Sequence, residues 1–177
     1  MYDKISDRAN VLEKDTADFL CDLIRTPSFS GKEKDVIELI KAKMLKEGFD
    51  EVKIDGLGNV IGRIGNGKKV IAFDAHIDTV YAGEMSLWDF DPFTPKIEDG
   101  KVWGRGSVDQ KGGMASMVYA GKMIKELGPE RLMFGSDFPF YPVATVLARV
   151  LVATETDKVV RKMIFSENAR RFWNTAK

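Results

Sequence analysis

The sequence contains one histidine and one cysteine in 177 residues, no excess of charge of either sign, and no run of 18 consecutive apolar residues. Each scarcity excludes something. The single cysteine, Cys21, rules out an intramolecular disulfide and a cysteine-rich zinc knuckle, and its apolar helical setting marks it as a small buried hydrophobe. Lys plus Arg and Asp plus Glu both number 27, so no net field draws the chain to nucleic acid or to an anionic membrane. The missing apolar run argues against a membrane-spanning helix. The opening stretch, MYDKISDRAN, has mixed charge and lacks the apolar centre of a secretory signal. These absences predict a soluble, cytoplasmic protein with one compact body, because two independent domains in this length would both be small.

What is present falls into a sequence of helical and extended periods. Val11, Leu12, Phe19, Leu20, Leu23 and Ile24 recur at helical spacing, and Pro27 ends the pattern by disfavouring helix at Thr26. Val36, Ile37, Ile40, Met44 and Leu45 make a second helix that stops at Gly48, a residue suited to a left-handed cap. From Glu51 the period turns to strands, EVKID, NVIGRI and KVIAFDAH, separated by the turns GLGN and GNGK; two of these strands are expected to pair as a hairpin. A long segment, Tyr81 to Gly100, carries Trp88, Phe90, Pro92, Phe93 and Pro95, and its aromatic content predicts an ordered, packed loop. A further helix uses Met114, Met117, Val118, Gly121 and Ile124, preceded by Gly104, Gly106, Ser107 and Asp109. In the tail, Val143, Val146, Leu147, Val150 and Leu151 form a helix face, and Asp157 and Ser166 are placed to cap two short helices.

The organising stretch is Val70 to Asp78, VIAFDAHID, which delivers the one histidine, His76, and a carboxylate two residues on, Asp78. Side chains two apart in a strand share a face. A carboxylate beside an imidazole can fix its tautomer and leave the other nitrogen free to bind a metal or move a proton. The apolar run ahead of the pair reads as a strand of a parallel sheet, whose ligands collect at the carboxyl ends of the strands. The predicted fold is therefore α/β, a three-layer sandwich with a mixed, largely parallel sheet, helices on both faces, and a helical C-terminal tail. Asp109 has two readings: a cap for the helix that follows, or a partner in the chemistry.

AHIDTV followed by WDFDPFTPKIEDGKVWGRGSVDQKGG resembles the family of acetylornithine deacetylases, succinyl-diaminopimelate desuccinylases and related di-zinc carboxypeptidases and aminoacylases, and within it the selenium-metabolism hydrolase branch. The likeness covers about residues 10 to 128. It implies that His76 binds one zinc, that Asp109 bridges two, that Asp78 orients the histidine in a catalytic role, and that the Asp109–Gln110 peptide is cis. Two zincs roughly 3.5–4 Å apart can activate a water and polarise an amide carbonyl. The family's Glu-Glu pair, second histidine and lid have no counterpart in this sequence.

From Pro129 on, PERLMFGSDFPFYPVATVLARV and SENARRFWN resemble the carboxyl end of the TIM-barrel metal-dependent amidohydrolases, in which an aspartate at the place of Asp137 reaches the metal centre. The chain then reads as two hydrolase pieces, 1–128 a truncated zinc-peptidase-like domain and 129–177 a strand and helices packed onto the same sheet. RLMFGSD would fill the vacant strand position through a right-handed crossover, and Asp137 would join His76 and Asp109 as ligands of one ion. The functions that follow are a zinc-dependent hydrolase of N-acyl amino acids or small peptides with an incomplete two-metal site, a non-catalytic chimeric domain holding at most one ion, or a structural chimera that binds nothing. A small amide or peptide is the implied substrate of the first. The oligomeric state is open.

Overall fold

A computed structural model describes residues 2–66, 72–127, 158–167 and 170. The chain divides into two compact units. The larger comprises Ala9–Ile64 and Ala75–Lys122, and the other comprises Met1–Arg8, Gly65–Asp74 and Met123–Lys177.

The larger unit contains all of one helix and most of two others. Helix α1 spans Tyr2–Arg25, α2 spans Lys34–Lys46 and α3 spans Gly112–Leu127. Phe19, Leu23 and Ile24 of α1 and Val36 and Ile40 of α2 are fully buried, and Met114, Ala115, Val118 and Tyr119 of α3 are nearly so. Each large aliphatic or aromatic side chain removed from water in this way contributes about 1.5–3 kcal/mol. The helix that sequence periodicity predicts from Val11 to Ile24 is therefore present, although Val11 itself is 66% exposed. It ends as Pro27 requires: the Thr26 hydroxyl donates back to the Asp22 carbonyl at 3.0 Å. Gly48, at φ 81°, supplies the expected left-handed cap of α2, with the Gly48 N–H on the Leu45 carbonyl and the Phe49 N–H on the Met44 carbonyl.

Strands β1 (Glu51–Ile54) and β2 (Val60–Arg63) form the expected antiparallel hairpin, with Glu51 opposite Arg63 and Ile54 opposite Val60. Asp55 organises its turn, its carboxylate accepting from the N–H groups of Leu57 and Asn59, both at 2.9 Å. A side chain at Gly62 would strike Met44 and Phe49, and one at Gly121 would strike Phe49 and Ile64, so the hairpin lies tight against α2 and α3 through Phe49.

The long aromatic loop is packed, as its composition predicts. The Phe29 and Tyr81 rings stack at 4.1 Å, Trp88 meets Phe90 edge to face, and the Arg105 guanidinium lies 5.0 Å above Trp88. The end of the loop and the residues after it form a hairpin that the sequence reading leaves unassigned, β3 (Lys96–Glu98) with β4 (Lys101–Trp103). Its turn is Asp99–Gly100, both at positive φ, the two-residue type for which Asp-Gly is the usual sequence signal.

The predicted three-layer sandwich is not what forms. The described residues contain two separate two-stranded antiparallel sheets. Ala72–Asp78 adopts no strand, and among the described residues the isolated bridge beside it is a parallel one between Phe29 and Thr79. The reason is physical: a parallel strand draws its hydrogen bonds from flanking strands, and among the described residues none lies beside this stretch. RLMFGSD, the expected neighbour, lies outside the described residues, as do the helix face from Val143 to Leu151 and Asp157.

In the other unit, Arg8 grips Glu126 through two hydrogen bonds of 2.6 and 2.8 Å. A short helix, α4 (Lys158–Lys162), leads into a wider turn at Met163–Glu167, where Ile164 is buried. The Ser166 hydroxyl donates to the Lys162 carbonyl at 3.0 Å, and Asn168 and Ala169, whose N–H groups it is expected to cap, lie outside the described residues. Among the described residues no helix is long and apolar enough to cross a membrane.

Candidate functional site

Two segments of the larger unit meet to form the site. The first runs through His76, Ile77 and Asp78. Ile77 is buried, and the alternation that buries it turns His76 and Asp78 together toward the opposite side. This segment is tied to the exit of α1. Ser28, fully buried, donates through its hydroxyl to the Ile77 carbonyl at 2.7 Å and accepts the Thr79 N–H at 2.8 Å.

The second segment is the loop from Gly104 to Lys111, which enters a wide turn at Ser107–Lys111 broken at Asp109 and Gln110. The Asp109–Gln110 peptide is cis, as the resemblance implies. The Asp109 carboxylate lies against His76, with Oδ1 at 2.9 Å from Nε2, so its contact is with the imidazole and not with the first turn of α3. On the other edge of the ring, Nδ1 faces the Asp78 carbonyl at 3.2 Å and the Asp78 carboxylate at 3.3 Å. Ser30 donates to Asp78 Oδ2 at 2.6 Å. The constellation lines an open cleft of about 280 Å³ with Thr79, Val80, Arg105 and Ser107.

The charges follow from these contacts. Partial burial alone would lower the His76 pKa, but the Asp109 hydrogen bond, helped by Asp78, holds it above the usual 6.5. The Ser30 hydrogen bond, opposed by some burial and helped by the His76 ring, holds the Asp78 carboxyl below its usual 3.8. For the histidine, stabilisation is full below its unfolded pKa and is lost as pH rises through the raised folded value. For Asp78 it is full above the unfolded pKa and is lost as pH falls through the depressed one. The ion-pair contribution of the site is thus greatest between the two. With a single histidine, a proton NMR titration reads this directly. His76 is expected to titrate above 6.5 and to move down toward it in Asp109→Asn; an unmoved value in the variant would remove Asp109 from the ring.

The zinc expectation, for one ion or two, is overturned by the same geometry. A structural zinc is held by about four donors near 2.0–2.3 Å. Asp78 and Asp109 occupy opposite nitrogens of one ring and do not converge, and among the described residues no group of three His, Cys, Asp or Glu side chains could hold a metal ion. The zinc-dependent hydrolase and the single-ion domain are corrected on that ground. Asp137 lies outside the described residues.

Ser28, Ser30 and Lys111 escaped the sequence reading. Lys111 is fully buried, and its ammonium donates to the carbonyls of Leu23 at 2.6 Å and Thr26 at 2.8 Å. The signal was a lysine set among glycines at the head of an apolar helix, where a solvated side chain has little room.

Residues 72–137 match the Peptidase family M20/M25/M40. The uncharacterized protein YgeY of Escherichia coli K12 is 52% identical over 126 residues, which cover 71% of this chain and 31% of that protein. A succinyl-diaminopimelate desuccinylase of Acinetobacter baylyi is 33% identical over 117 residues, covering 65% and 31%, and one of Cereibacter sphaeroides is 35% identical over 114 residues, covering 62% and 30%. A segment of this chain thus resembles the M20 peptidases, and the chain spans about a third of the length of the curated relatives it matches.

Proposed function

We propose that this chain is a catalytically silent descendant of the M20 peptidases, one that keeps the family's histidine and aspartates as a hydrogen-bonded cluster and hydrolyses no amide by itself. The observation that carries this reading is the arrangement at His76, where both ring nitrogens face carboxylate-bearing residues on opposite sides. Contacts of this kind favour the charged form of the ring and fix its orientation. A general base needs an imidazole nitrogen or carboxylate free to reach the proton it removes, and here the imidazole is engaged by Asp109 and Asp78.

The selenium-metabolism branch is the part of the family from which we derive residues 10–128, on the strength of AHIDTV and GRGSVDQKGG. Residues 129–177 we derive from the amidohydrolase end, on GSDFP and ENARRF. The family match runs on to Asp137, nine residues past that junction.

The test is amine release from N-acyl amino acids and dipeptides, with and without added zinc salt, beside His76→Ala. No release above the variant is expected, and zinc is expected to leave the melting temperature unchanged, because an ion that binds only the folded state must raise it. Turnover that depends on His76 overturns the reading.

A further inference from the structure

We propose that Lys111 is a positioning residue, which mounts the Asp109 end of the site on the exit of α1 while Ser28 mounts the His76 end on the same exit. The inference rests on His76 and Asp109 forming one site and not on whether that site turns anything over.

A fully buried ammonium is costly unless its charge is compensated. The two hydrogen bonds that Lys111 Nζ makes among the described residues go to the backbone carbonyls of Leu23 and Thr26 and not to a carboxylate. The Leu23 carbonyl, which also accepts the Thr26 N–H at 3.3 Å, stands in the last turn of α1, and the Thr26 carbonyl follows just beyond it, so the negative end of the helix dipole offers this cation both acceptors and charge. Burial lowers the Lys111 pKa to about 8, which leaves it mostly protonated at neutral pH. A methionine could fill the same space without a charge. What it could not do is fix direction, because apolar packing has no preferred register against a pair of carbonyls.

Direction is what the loop needs. The Lys111 N–H donates to the Gly106 carbonyl at 2.9 Å, closing the turn that contains Asp109. With its ammonium end fixed to α1 and its backbone end fixed to Gly106, Lys111 determines where the residues between stand. Two positions beyond Thr26, Ser28 holds the Ile77 carbonyl and the Thr79 N–H. The carbonyl of Thr26 and the hydroxyl and carbonyl of Ser28 thus lie within the three residues centred on Pro27, and each half of the site hangs from them. The 2.9 Å contact between His76 and Asp109 is the product of two separate attachments to a shared support.

The one histidine provides the readout. At a fixed pH low enough to keep the ring charged in every variant, its two ring nitrogens give one pair of 15N resonances, and Asp109→Ala supplies the position of Nε2 without its carboxylate. Lys111→Met is expected to move Nε2 most of the way to that position and to leave Nδ1 in place, because Asp78 travels with His76; Lys111→Gln, which keeps a donor, should restore part of the shift. Helical circular dichroism confirms that the variants are folded. An unchanged Nε2 in folded Lys111→Met overturns the assignment, and so does a joint displacement of both nitrogens, which would report a general loosening. If Lys111→Met does not fold, the unmodified protein decides. A buried, doubly bonded ammonium gives a slowly exchanging Nζ resonance at neutral pH, and fast exchange there overturns the proposal. No substrate enters these measurements, so their failure and that of the hydrolysis test are distinguishable.

Discussion

Phe19→Ala is expected to destabilise the larger unit by about 3–5 kcal/mol, read as a fall in the denaturant midpoint of the helical circular dichroism. Phe19 has no exposed surface, and its ring meets Tyr119 of α3 edge to face at 6.4 Å. The Lys43 ammonium of α2 lies 4.9 Å above the same ring. One side chain therefore joins all three helices. Its removal takes away the transfer energy of a phenyl group and leaves a hole between rigid elements that cannot collapse to fill it. A second loss follows at Lys43, which also has the Tyr119 ring at 6.0 Å and would keep only that cation–π contact. Phe19→Leu, which fills most of the volume, is expected to cost less than about 1.5 kcal/mol. Equal costs for the two variants would place Phe19 outside the core.

The helical part of this core is legible in the sequence because periodicity and burial arise from the same cause. Leu12, Phe19, Leu23 and Ile24, then Val36, Ile40 and Met44, sit on the predicted faces and are buried. The exceptions, Val11 and Leu45, lie at 66% and 54% exposure, where the apolar stripe is wider than the surface available to cover it. The β1–β2 hairpin is legible through its turn. So is the pairing of His76 with Asp78, since two residues apart in an extended segment fixes a shared side. The parallel sheet misled because VIAF reports only that a segment could be buried on both faces; whether neighbours exist to bury it is not a local property. Phe73, from that run, is 63% exposed. The meeting of His76 with Asp109 was legible only by resemblance, since the contacts that produce it are to the backbone carbonyls of Leu23, Thr26 and Ile77. Carbonyls are identical at every residue and leave no mark in a pattern of side chains.

Gly106→Ala is expected to be as damaging as a core truncation, although it adds only one carbon. Gly106 stands at φ 78°, a conformation that costs a residue with a side chain about 1–3 kcal/mol. A Cβ there would also lie 2.5 Å from Thr79 Cγ2, well inside contact distance. Thr79 cannot retreat: it is 5% exposed and its N–H is bonded to the Ser28 carbonyl. Overpacking of this kind adds a further cost of about 1–3 kcal/mol. Gly100→Ala separates the two contributions, because Gly100 has a similar φ of 71° but nothing within 4 Å of a Cβ. It should show the conformational cost alone, so Gly106→Ala is expected to melt lower than Gly100→Ala. The site responds to the difference as well. Thr79 is three residues from His76, and Gly106 is three from Asp109, so relief of the clash drives the two segments apart and should lengthen the His76–Asp109 contact. The His76 titration is then expected to fall toward 6.5 in Gly106→Ala and to hold in Gly100→Ala. Equal stability of the two variants would mean that the loop does not press on Thr79. The closeness of the carboxylate to the ring would then need a support other than the exit of α1.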